Sequence, residues 1–96
     1  MKLRIRLAAL QDMDDAYAWY ELQRSGLGEE FLKAVDHVMT TVVESPLRYR
    51  VLVLDTRHAL VHRFPYRVLY RILGDELVVV ACFHARRDPR RWDQRR

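Results

Sequence analysis

The residues best equipped for chemistry crowd toward the C-terminal end of this chain. Residues 84–96 read His-Ala-Arg-Arg-Asp-Pro-Arg-Arg-Trp-Asp-Gln-Arg-Arg, six arginines against two aspartates. That surplus of four equals the net charge of the whole 96-residue chain, +4, so residues 1–83 are balanced. Arginine presents a planar fork of donors that matches phosphate and carboxylate, so an excess of it at one end points to a polyanionic or acidic partner. His84 stands at the head of this segment, and an imidazole titrating near pH 6.5 can act as acid or base. The lone cysteine, Cys82, lies inside an apolar run. It can form neither an internal disulfide nor a cysteine metal cluster, and reads as a small buried hydrophobe in a reducing cytoplasm.

The elements that must position these groups follow from periodicity. Leu3, Ile5 and Leu7 alternate with Arg4 and Arg6, which predicts a half-buried strand over 3–7. A helix follows with an apolar stripe of Leu10, Met13, Tyr17 and Tyr20, joined by Trp19 in helix–sheet packing. Asp12, Asp14 and Asp15 are placed in its first turns, at the positive end of the dipole, and Ser25-Gly26 supplies the stop. A second helix from about Gly28 buries Phe31, Leu32, Val35, Val38, Met39 and Val42, and ends at Ser45-Pro46. The link is short, so the helices form an antiparallel hairpin.

From Tyr49 the period becomes two. Val51 and Val53 give one strand; Leu60, His62 and Phe64 give another, broken at Pro65. Arg67–Leu73 is a third, and Gly74-Asp75 turns it into Leu77–Phe83, whose continuous apolar character predicts burial on both faces. The order β-α-α-β-β-β-β is an α+β fold, a helical hairpin on one face of a small, mainly antiparallel sheet. The other face is left partly open, available to arginines and histidines of the last three strands.

Bulk properties bound the rest. Ninety-six residues make a single domain, 1–96, with 90–96 as a flexible basic tail. With half of the residues hydrophobic, a disordered chain is excluded. No apolar run approaches the roughly 20 residues that span a bilayer. The charged N-terminus lacks the apolar stretch of a signal peptide, so a cytoplasmic protein without a membrane partner is expected.

Several segments, in order, resemble the RelE/ParE superfamily, the toxins of type II toxin–antitoxin modules. They are Ala8–Tyr20 with Ala18-Trp19-Tyr20-Glu21, then Gly26-Leu27-Gly28-Glu29-Glu30-Phe31-Leu32, then Ser45-Pro46 with Tyr49. Arg63-Phe64-Pro65-Tyr66-Arg67-Val68-Leu69-Tyr70 and His84-Ala85-Arg86-Arg87-Asp88-Pro89 with Trp92 complete the set. The resemblance spans nearly the whole chain, and it implies the fold read above from periodicity. It also implies a growth-inhibiting toxin neutralised by a cognate antitoxin, with no cofactor or metal.

The resemblance carries two modes of action. RelE-like members cleave messenger RNA on the ribosome without a metal; ParE-like members poison DNA gyrase. In the nuclease mode Arg67 falls where a phosphate-binding arginine belongs and His84 where some members use a histidine. Arg63, Arg86 and Arg87 would then stabilise a pentavalent phosphate. The chain departs from that pattern: His58, Leu60 and His62 stand where the nucleases have lysines, and Trp92, which cannot transfer a proton, is the aromatic after His84. The catalytic set would be Arg67, His84 and Arg86. Residues contacting target or antitoxin would be Arg63, Arg67, Arg86, Arg87 and Trp92. The departures tilt the reading toward gyrase, with the ribosome and its messenger RNA as the alternative target. A third reading is a non-toxic basic nucleic-acid-binding module.

Overall fold

The computed structural model describes residues 1–86. The elements run β1 (Lys2–Ile5), α1 (Leu7–Gln23), α2 (Leu27–Glu44), β2 (Val51–Val53), β3 (Thr56–Leu60), β4 (Tyr66–Leu73) and β5 (Glu76–His84). The strands form one sheet in the order β1-β5-β4-β3-β2. All neighbours are antiparallel except β1, which returns beside β5 in parallel after the helices have crossed over. No helix among the described residues is long and apolar enough to cross a membrane.

The expected fold class is the observed one, with local differences. The first strand stops at Ile5 and α1 begins at Leu7. The aspartates therefore sit beyond the first turn, which contains no acidic residue, and the dipole reading does not apply to them. The buried face of α1 is Ala9, Met13, Ala16 and Tyr20. Leu10 and Trp19 are exposed, at 43% and 55%, so of the expected aromatic cluster it is Tyr20 that enters the core, where it meets Phe31 and Phe64 edge-on or tilted. The strand expected over Leu60–Phe64 ends at Leu60. Arg63 there adopts φ +73°, a left-handed conformation that no ladder residue takes and that breaks the alternation.

The hairpin joins through Gly26, whose φ of +89° lets the chain reverse. Glu21 of α1 accepts hydrogen bonds from the N–H groups of Gly26 (3.0 Å) and Gly28 (2.8 Å). One helix thus supplies the side-chain acceptor that the next helix lacks at its own N-cap. At Gly28 the helices are in contact: a Cβ there would lie 2.6 Å from the Tyr17 ring and 2.7 Å from Glu21.

β5 is buried on both faces. Leu77, Val79 and Cys82 join the helices' core with Val68 and Tyr70, whereas Val78, Val80, Ala81, Phe83 and Leu69 form a second cluster on the opposite, helix-free face. The exchange of parity has a cause. Val79 pairs with Tyr70 and Ala81 with Leu69, so Val80 is an extra residue, a β-bulge. Before the bulge odd-numbered residues face the helices; after it even-numbered ones do.

Candidate functional site

Arg67 sits near the start of β4, paired with Leu60 on β3 and Phe83 on β5, and its side chain lies on the helix-free face with Leu69. His84 is paired with Tyr66, one register step away. The bulge has put it on the other face. Its ring meets Tyr66 at 5.4 Å, and it lines a cavity of about 210 Å³ with Asp12, Asp15 and Trp19 of α1. Consecutive positions on a strand point to opposite sides, so the phosphate-binding candidate and the proton-transfer candidate are not brought together.

The imidazole also has a structural task. Its Nδ1 accepts the backbone N–H of Arg86 at 3.2 Å, which fixes the neutral ring's proton on Nε2 and turns the chain after β5. The N–H of Ala85 donates to the carbonyl of Pro65 at 2.7 Å and holds that turn. Arg86 itself is exposed. Arg87 and Trp92 lie outside the described residues.

Arg63 belongs to a third place. Its guanidinium donates to Glu30 of α2 at 3.1 Å and lies 5.7 Å from the centre of the Phe64 ring. Glu30 takes Arg24 at 3.0 Å as well, and these two hydrogen bonds hold its carboxyl below the ordinary glutamate range. Arg63 therefore closes the β3–β4 connection onto the start of α2 and does not approach Arg67's face.

On the helix-free face the structure brings two further residues to Arg67. His58 pairs with Leu69, diagonal to Arg67 across the β3–β4 ladder, and its N–H donates to the carbonyl of Arg50 at 3.1 Å. Burial first, then the charges of Arg67 and Arg50, push the His58 imidazole below its ordinary value. Its Nδ1 and the Nε of Arg67 are shut off from solvent, with no hydrogen-bond partner among the described residues. In the sequence His58 stands out only as a residue where the nucleases have a lysine. The alternation of His58 with Leu60 was visible, but the register that sets both against Arg67 was not.

Other reactive side chains are engaged or inert. Burial pushes the Cys82 thiol up to about 12, with the nearby Asp12 carboxylate adding to it, so it is neither nucleophile nor ligand at neutral pH. Asp12 accepts the N–H of Cys82 at 3.0 Å and ties α1 to β5 beyond the reach of β1. Arg71 is paired with Asp55 through both carboxylate oxygens, at 2.9–3.2 Å. Among the described residues no group of three His, Cys, Asp or Glu is placed to hold a metal ion.

Comparison with known proteins agrees with this architecture. The chain resembles solved proteins described as a chromosomal ParDE toxin–antitoxin system from P. aeruginosa (TM-score 0.67, 22% identity, 88% of this chain and 95% of that one). It also resembles the intact E. coli RelBE toxin–antitoxin complex (0.59, 18%, 90% and 98%). A third is a YoeB/ParE toxin from Agrobacterium tumefaciens (0.60, 15%, 88% and 98%). At these identities the likeness establishes the fold. No curated protein matches the sequence. The family itself is given by the sequence match over residues 3–89 to the ParE toxin of the type II toxin–antitoxin system parDE, and the chain belongs to that family.

Proposed function

We propose that this chain is the growth-inhibiting toxin of a bacterial type II module, cytoplasmic, held inactive by a cognate antitoxin, and that it acts by blocking DNA gyrase. The family match supports the first part. One observation favours gyrase over messenger RNA cleavage: Arg67 and His84 face opposite sides of the sheet. Cleavage by the 2′-hydroxyl needs a base, an acid and a phosphate-binding cation around one phosphate. Neither face gathers that set among the described residues. Inhibition by binding needs only a surface.

The basic groups expected to meet target or antitoxin are spread over separate places. Arg67 is on the helix-free face, Arg63 at the start of α2 and Arg86 after β5; Arg87 and Trp92 belong to the undescribed C-terminal segment. A partner that wraps the chain, with acidic residues in its contacting part, suits that distribution. Induction of the chain alone in bacteria is expected to arrest growth, and co-expression of the antitoxin to restore it. Normal growth with folded, abundant protein would refute the reading.

A further inference from the structure

We propose that Arg50, His58 and Arg67 form a receiving site for a carboxylate of an acidic, apolar-flanked segment of the protein partner. This rests on the reading of the chain as a toxin held by an antitoxin, and locates where one acidic side chain of that antitoxin docks.

Three observations carry it. The first is unmet hydrogen bonding. Among the described residues Arg67 Nε is a donor without an acceptor, and His58 Nδ1 lacks a partner as well. A buried polar group left unpaired is costly, on the order of 1–3 kcal/mol, so such atoms mark places completed by something else. A carboxylate supplies two oxygens, one for the guanidinium and one for a protonated imidazole.

The second is access. β2 pairs with Thr56 and Arg57, and the chain just before it takes the His58 N–H on the Arg50 carbonyl, so the edge of β3 is uncovered by a strand from Ala59 on. A cavity of about 370 Å³ opens there, lined by Arg48, Tyr49, Arg50, His58, Ala59 and Leu60; Arg67 is not part of its lining and acts on His58 from the adjoining strand. The charged groups acting on His58 are Arg67 from β4 and Arg50 from the segment before β2, with Arg48 and Tyr49 in the same cavity; no carboxylate is among them. Among the described residues the site is cationic and lacks its counter-charge.

The third is the character of the rim, which favours a peptide over a nucleic acid. Leu60, directly paired with Arg67, is 59% exposed, and Leu52 packs on the same face. The aromatic ring in the cavity, Tyr49, already packs edge-on against Tyr70 at 6.4 Å and carries the Arg48 guanidinium over its ring at 5.9 Å, which makes it a poor stacking platform for bases. An extended segment alternating acidic and apolar residues matches this surface, since alternate side chains of a strand point the same way.

The site has a signature. In the free chain burial and two arginines disfavour the imidazolium. A bound carboxylate favours it, so binding takes up a proton and tightens as pH falls. The probe is a synthetic peptide alternating glutamate and leucine, added to the full chain, with the His58 ring resonance and Kd followed at pH 7.5 and 6.0. The expected result is a Kd about fivefold lower at pH 6.0, with the His58 titration moved upward by the peptide. Arg67→Gln and His58→Gln should each weaken binding about tenfold, and the latter should flatten the pH dependence. A glutamine-for-glutamate peptide that binds equally well, a flat Kd, or a short RNA that moves His58 where the peptide does not would each overturn the proposal. These readings need only wild-type protein, so a misfolded variant does not rescue it. A chain that arrests growth but shows no such response defeats this site alone; one that shows the response without arresting growth defeats the toxin reading alone.

Discussion

Arg67 and His84 occupy neighbouring register positions on β4 and β5, opposite Phe83 and Tyr66, yet stand on opposite faces of the sheet. The extra residue at Val80 separates them. In an unbroken strand His84 would share the face of Val78, which pairs with Arg71 on Arg67's side. One bulged residue thus decides whether an imidazole and a guanidinium can act on the same phosphate. His84 instead spends its Nδ1 on the N–H of Arg86.

Gly28 is required by the contact between the helices. Its replacement by alanine gains up to about 1 kcal/mol of helix propensity. The new Cβ falls 2.6 Å from the Tyr17 ring, and overpacking costs about 1–3 kcal/mol. Gly28→Ala is expected to destabilise the chain by up to about 2 kcal/mol net in urea unfolding once the full propensity gain is counted. The same change made with Tyr17→Ala should recover part of the loss.

Tyr70 is fully buried, and its hydroxyl donates to the carbonyl of Pro46 at the end of α2, pinning the exit of the helix to the central strand. Burial pushes its hydroxyl up to about 12, so it stays protonated as a donor. Tyr70→Phe keeps the packing and removes the donor, at an expected cost of about 1–2 kcal/mol. An equal midpoint in thermal melts would show that water replaces the bond.

Glu30 makes stability pH-dependent. Hydrogen bonds from Arg63 and Arg24 depress its carboxyl in the folded chain. A depressed carboxyl contributes stability above its unfolded value and loses it as pH falls through the folded one. Acid unfolding followed from pH 6 to 3 should therefore be shallower in Glu30→Gln than in the parent. Both partners are largely exposed, so the difference should shrink as salt is raised.

Much of this architecture is legible in the sequence because strong local signals coincide with tertiary roles. Phe31, Val35, Val38, Met39 and Val42 recur at helical spacing and are buried. Leu77–Phe83 reads as buried on both sides and is. What escapes is register and parity. Nothing in Val78-Val79-Val80-Ala81 marks which residue is the extra one, so Arg67 and His84 look like members of one site. His58 looks like an ordinary strand residue until its partner strand is known. Arg63 reads as a basic contact residue because its left-handed turn and its bond to Glu30 come from the packing of distant elements.

The most direct test of the account is supercoiling of relaxed plasmid by purified DNA gyrase in the presence of the purified chain. Inhibition that grows with the amount of chain, is relieved by the antitoxin and survives His84→Ala is the predicted result. Undiminished supercoiling at a large excess of folded chain would contradict it. That contradiction would be sharpest if induced cells showed messenger RNA broken within codons on translating ribosomes, and if Arg67→Ala or His84→Ala abolished the breaks.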